Sequence, residues 1–95
     1  MNNNKINLLG LAQAAGKLVS GTETVVKAVK QGTADLVIVA TDVSDQTKRN
    51  IENKCEFYDI PWVQVFTTEE ISIALGKKRS IVAFTDRGFV KSFQK

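Results

Sequence analysis

Two uninterrupted apolar runs constrain this chain more than any other feature: Leu36–Ala40, and Ile81–Phe84 leading into Thr85. A strand with one wet face alternates apolar and polar residues, so runs like these fit strands buried on both faces. Such strands need helices above and below them. The segments between the runs supply the helical period, and the fold class that follows is α/β, a three-layer α/β/α sandwich. The chain has 95 residues with no linker, internal repeat or low-complexity tract, so residues 1–95 are expected to form a single domain.

The remaining elements are read from caps and breakers. Asn4 can cap a first helix running to about Ala15, with Gly16 as its stop. Leu18–Ser20 is long enough only for a strand stub. A second helix spans about Thr22 to Gln31 and ends at Gly32. Ser44 can cap a third, whose buried side is expected to include Ile51, Cys55 and Tyr58; Ile60–Pro61 stops it. Trp62–Phe66 reads as a strand. Thr67 and Glu70 have the spacing of a capping box for a fourth helix ending at Leu75–Gly76. Asp86 can cap a fifth, carrying Phe89 and Phe93 to the core.

Several function classes fall away. The chain has no histidine, which removes histidine acid–base chemistry and most zinc sites. Its one cysteine, Cys55, forms no internal disulfide and has no histidine to activate it; a buried thiol is expected. No apolar run approaches the roughly 18 residues of a membrane span, and Met1–Lys5 opens no signal peptide, so a cytoplasmic protein is expected. No phosphate-binding glycine loop or nucleophile elbow is present, and the expectation is a non-enzymatic protein without cofactor or metal. Asp42 and Asp45, in the loop after the first long run, can hold Mg²⁺ or form an acid–base pair; Ser44 and Asp45 equally suit a helix start.

The net charge of +3 hides a segregation: residues 1–30 carry +3, residues 31–76 carry −5 and residues 77–95 carry +5. Basic ends around an acidic middle suit one positive face and a polyanionic partner such as RNA, or simply solvated charge. The segment Gly16–Lys27 crosses from strand into helix with Gly21 at the junction. Free helix-start amides there, with Lys17 before the stub and Lys27 one turn in, would accept a phosphate or base edge. Ser20 and Glu23 also have capping-box spacing, and spacing alone leaves the two open.

Gly21–Val29, then Gly32, then Leu36–Asp42 resembles the signature of the kink-turn-binding ribosomal protein family, which includes the large-subunit proteins seven-Ae and thirty-e. Cys55–Glu56 before Ile60–Pro61, and Glu70 with Ala74–Gly76, continue the resemblance in order. Phe84–Phe89 resembles the bacterial YlxQ-type members. The resemblance implies a four-stranded mixed sheet and binding to RNA kink-turns, sharply bent duplexes with tandem sheared G·A pairs. Carried over by position, it implies base readout near Gly21, Thr22, Glu23, Thr24 and Lys27, with Lys27 donating to a guanine O6/N7 edge. It implies a second contact from the loop Lys77, Lys78, Arg79 and Ser80 leading to Ile81. Lys17 and Lys30, with Lys78 and Arg79, would position phosphates. The chain departs from many kink-turn binders in having Glu23–Thr24 where they have Asn-Glu. Its loop is also short and cationic where theirs is aliphatic. The expected partner is structured RNA, with no DNA or membrane, bound by a monomer. The alternative is a protein–protein module of the same fold, using the acidic helix from Ser44 to Tyr58.

Overall fold

The computed structural model describes residues 4–95. The elements in chain order are α1 (Asn4–Ala14), β1 (Leu18–Ser20), α2 (Thr22–Gln31), β2 (Leu36–Val39), α3 (Asp45–Phe57), β3 (Trp62–Gln64), α4 (Thr68–Leu75), β4 (Ile81–Phe84) and α5 (Arg87–Gln94). The side chain of Asn4, expected to cap α1, lies outside that description.

The two apolar runs form the centre of the sheet, whose strand order is β1-β4-β2-β3. β4 runs antiparallel to both β1 and β2, and β2 runs parallel to β3, so the sheet is mixed. Every residue of β2 and β4 is buried, as continuous apolar runs require. Successive side chains point to opposite faces. Leu36, Ile38, Val82 and Phe84 join Leu9, Ile71 and Phe93 in one core layer, under α1, α4 and α5. Val37, Val39, Ile81 and Ala83 join Val25, Val29, Ile51 and Cys55 in the other, under α2 and α3. The α/β/α sandwich is thus built by alternation along two short strands. Gly10 lets α1 approach α4 closely: a Cβ there would stand 3.1 Å from the Ala74 carbonyl oxygen.

The local caps form as their spacing dictates. The Ser44 hydroxyl accepts from the Thr47 amide at 3.1 Å. Thr67 and Glu70 close a reciprocal capping box, with amide-to-side-chain distances of 2.8 and 3.1 Å. The Asp86 carboxylate accepts from the Phe89 amide. Gly32 and Gly76 end their helices in the left-handed conformation.

Two expectations are corrected. Tyr58 is 38% exposed: α3 ends at Phe57, and Tyr58 leaves the helical path that would have carried it inward. Its neighbour Phe57 is 80% exposed, unlike the four other phenylalanines, which sit in or against the core. The β3 strand stops at Gln64, before Phe66 turns into the left-handed region at φ 69° to start the approach to α4.

Cys55 is fully buried, and burial, aided by the adjacent Glu56 charge, pushes its thiol up to about 11. A thiol this deep has almost no thiolate near neutrality. A colorimetric thiol reagent at pH 8 is therefore expected to leave the native protein untouched and to titrate one thiol in denaturant.

Candidate nucleic-acid interface

The α2 N-terminus carries no side-chain cap. Its N-cap is Gly21, at φ 97° and ψ 143°, a region open essentially to glycine alone. The Ser20–Glu23 capping box does not form. The Ser20 hydroxyl instead accepts from Arg79 Nε at 3.1 Å. The first amides of α2 are thus left without a side-chain acceptor, the arrangement that receives an anionic group.

Sheet pairing brings the basic loop to this junction. β1 and β4 are antiparallel with Ser20 opposite Val82, so the end of β1 and the start of β4 are adjacent. The Gly21 amide donates to the Ile81 carbonyl at 2.9 Å. Arg79 lies against Gly21: a Cβ on Gly21 would stand 3.6 Å from its Nε. The Arg79 guanidinium spends one further donor on the Lys78 carbonyl at 2.8 Å. Two of its five N–H donors are engaged, and three remain for a ligand.

The loop backbone is also held from behind. Ser72 on α4 accepts from the Arg79 amide at 3.0 Å and donates to the Arg79 carbonyl at 3.2 Å. Lys77 and Lys78 are exposed, while Ser80 is half-buried. Along α2, Thr22, Glu23, Thr24, Lys27 and Lys30 are all exposed. Thr22, Glu23, Lys27 and Lys30 line a shallow groove of about 520 Å³ together with Val26, Gln31 and Asn50.

The structure therefore gathers most of the sequence candidates but not all. Gly21, Thr22, Glu23, Thr24 and Lys27 share one end of the molecule with Lys77, Lys78, Arg79 and Ser80. Lys30 extends the same groove roughly 12 Å down the helix axis, at about 1.5 Å per residue. Ile81 contributes its carbonyl only, because its side chain is buried in the core. Lys17 lies elsewhere. Its carbonyl accepts from the Thr85 amide, at the far end of β1 and β4, roughly 13 Å from Gly21 at about 3.3 Å per strand residue. A second hollow, of about 590 Å³, lies at that end, where Asp35 and Asp59 line the same wall as Arg87 and Lys91. Its mixed charge suits a polyanion less than the α2 groove does.

Sequence reasoning missed Ser20 and Ser72 as anchors of Arg79, and Asn50 as the α3 wall of the groove. No local pattern marks them, since each acts across the fold. The carboxylate of Asp42 is occupied: it accepts from Thr68 at 2.9 Å (amide) and 2.8 Å (hydroxyl), and those bonds hold its pKa below the ordinary value. With Ser44 capping α3, that loop is a helix start.

Residues 5–94 match the profile of the Ribosomal protein L7Ae/L30e/S12e/Gadd45 family, and the chain belongs to it. Among curated relatives, it is similar to the RNA-binding protein YlxQ of Enterococcus faecium, 37% identical over 86 residues, covering 90% of this chain and 84% of that protein. The RNA-binding protein YlxQ of Bacillus subtilis is 39% identical over 83 residues, covering 86% and 83%. Among solved structures, a protein with unknown function from Bacillus halodurans C superposes with a TM-score of 0.91 at 36% identity, covering 98% of this chain and 95% of that one. The Giardia lamblia 15.5kD RNA binding protein shares the fold at a TM-score of 0.79 and 19% identity, covering 98% and 87%.

The backbone at Gly21 yields a direct test. A Cβ meets no clash there, so the cost of Gly21→Ala is conformational strain, about 1–3 kcal/mol. Urea unfolding is expected to show that loss.

Proposed function

We propose that this chain is a non-catalytic RNA-binding protein that recognises a kink-turn or similarly bent structured RNA. It acts as a cytoplasmic monomer on ribosomal or other structured RNA, without a cofactor. The observation that carries this reading is the junction itself. An α2 N-terminus with no side-chain cap is tied to a cationic loop by the Gly21–Ile81 and Ser20–Arg79 hydrogen bonds, beside the Lys27–Lys30 groove. Family membership and the names of the YlxQ relatives support it from outside the structure.

The roles follow from chemistry. Gly21 admits a phosphate to the helix-start amides, with Thr22 adding a hydroxyl. Lys27, one turn in, donates to guanine O6/N7, and the Glu23 carboxylate accepts from guanine N1/N2, with Thr24 beside it. Lys30, Lys77, Lys78 and Arg79 neutralise phosphates. Because the loop is cationic, much of the affinity is electrostatic and falls with salt.

A gel-shift series on a kink-turn RNA and a control with its G·A pairs disrupted tests both parts. Lys27→Ala is expected to weaken binding to the bent RNA by about 1–3 kcal/mol, the range of a good base contact. An equal loss on the control would exclude base readout. Lys78→Ala is expected to weaken both RNAs and to flatten the log–log salt slope by about one unit. An unchanged slope would remove the loop from the footprint.

One observation favours a second reading, the protein–protein module. Phe57, 80% exposed, stands edge-on to Tyr58 at 4.9 Å at the end of α3, next to Glu56. Exposed aromatics of this kind anchor protein interfaces. In that case partner binding would depend on Glu52, Glu56 and Phe57, and would survive both ribonuclease and Lys27→Ala.

A further inference from the structure

We propose that Asp42, on the loop after β2, is a positioning residue that sets the cationic loop through Thr68 and Ser80. The inference rests on the RNA-binding reading above and gives that site a part that touches no RNA.

The chain of contacts is continuous. Asp42 Oδ1 accepts from the amide of Thr68, the first residue of α4, and from its hydroxyl. An ionised carboxylate can only accept, so the single hydroxyl proton of Thr68 goes to Asp42. The 2.9 Å contact between Thr68 Oγ1 and Ser80 Oγ is thereby given a direction: Ser80 donates and Thr68 accepts. The Ser80 carbonyl is fixed in turn by the Ala40 amide at 2.9 Å. Arg79, the next residue back, is pinned by Ser72 and reaches Ser20 beside Gly21. Asp42 thus sets the donor direction of a relay ending at Ser80, the residue that follows Arg79 in the loop.

Simple electrostatics and positioning predict opposite signs. Removing an acid from the neighbourhood of a polyanion site should strengthen binding. Removing the acceptor that orients Thr68 frees Ser80 and loosens the loop, which should weaken it. Asp42→Ala in the full chain, which leaves no side-chain acceptor for Thr68, separates the two. Binding to a kink-turn RNA with tandem G·A pairs is expected to fall about tenfold, the scale of losing a hydrogen bond to a charged group. Thr68→Val, which keeps the shape and removes the hydroxyl, is expected to match it. Thr68→Ser is expected to restore binding. The double variant Asp42→Ala/Thr68→Val should be no worse than either single, because both cut one relay.

A measurement without RNA accompanies these. In Asp42→Ala the amide of Arg79, which donates to Ser72, should exchange hydrogen faster than in wild type, while those of β2 stay protected, which shows that the variant is folded. Wild-type preference for the bent RNA, with unchanged binding and unchanged loop exchange in Asp42→Ala, would overturn the relay alone. A wild-type protein with no preference for bent RNA would overturn the RNA-binding assignment and, with it, the purpose of the relay.

Discussion

The antiparallel pairing of β2 with β4 is the constraint on which the rest depends. Both strands are four residues long and buried on both faces, so each side chain is committed to one of two core layers by its position alone. A one-residue slip would exchange Ile38 and Val82 with Val37 and Ala83 and leave both layers mismatched. The same register fixes where β4 begins, and therefore where the cationic loop must enter. Because β1 pairs with the other edge of β4, its final residue meets that entry point. The candidate interface is a consequence of sheet register before it is a matter of side-chain chemistry.

Much of this was legible in the sequence because the signals are local. Apolar runs marked the double-buried strands, and a hydroxyl or acid three residues before a helical amide marked the starts of α3, α4 and α5. The failures share one cause. Ser20 can satisfy either an amide on its own helix or a guanidinium 59 residues away, and only the β1–β4 pairing decides for Arg79. Lys17 sits four residues from Gly21 in sequence, but an extended strand places the two at opposite ends of the β1–β4 pair. Phe66 adopts a positive φ because the chain must turn there between β3 and α4, and nothing in its side chain announces this.

Charge behaves in the same way. The basic ends of the sequence do not form one face. The groove along α2 and the loop before β4 take cations from both ends, while the α5 residues Arg87 and Lys91 share the far-end hollow with Asp35 and Asp59, and Lys17 lies at the far end of β1. Segregation along the chain foretold a positive site without showing which lysines belong to it.

The tethering of Arg79 has one more consequence. Ser72 grips its backbone at both the amide and the carbonyl, and Ser20 takes its side chain, so the loop is built before any ligand arrives. A preformed binder spends little of its affinity on ordering itself. On the proposed reading the work of adapting then falls to the nucleic acid, whose own flexibility becomes part of what is discriminated. Two RNAs offering identical contacts would bind unequally if one resists folding back on itself.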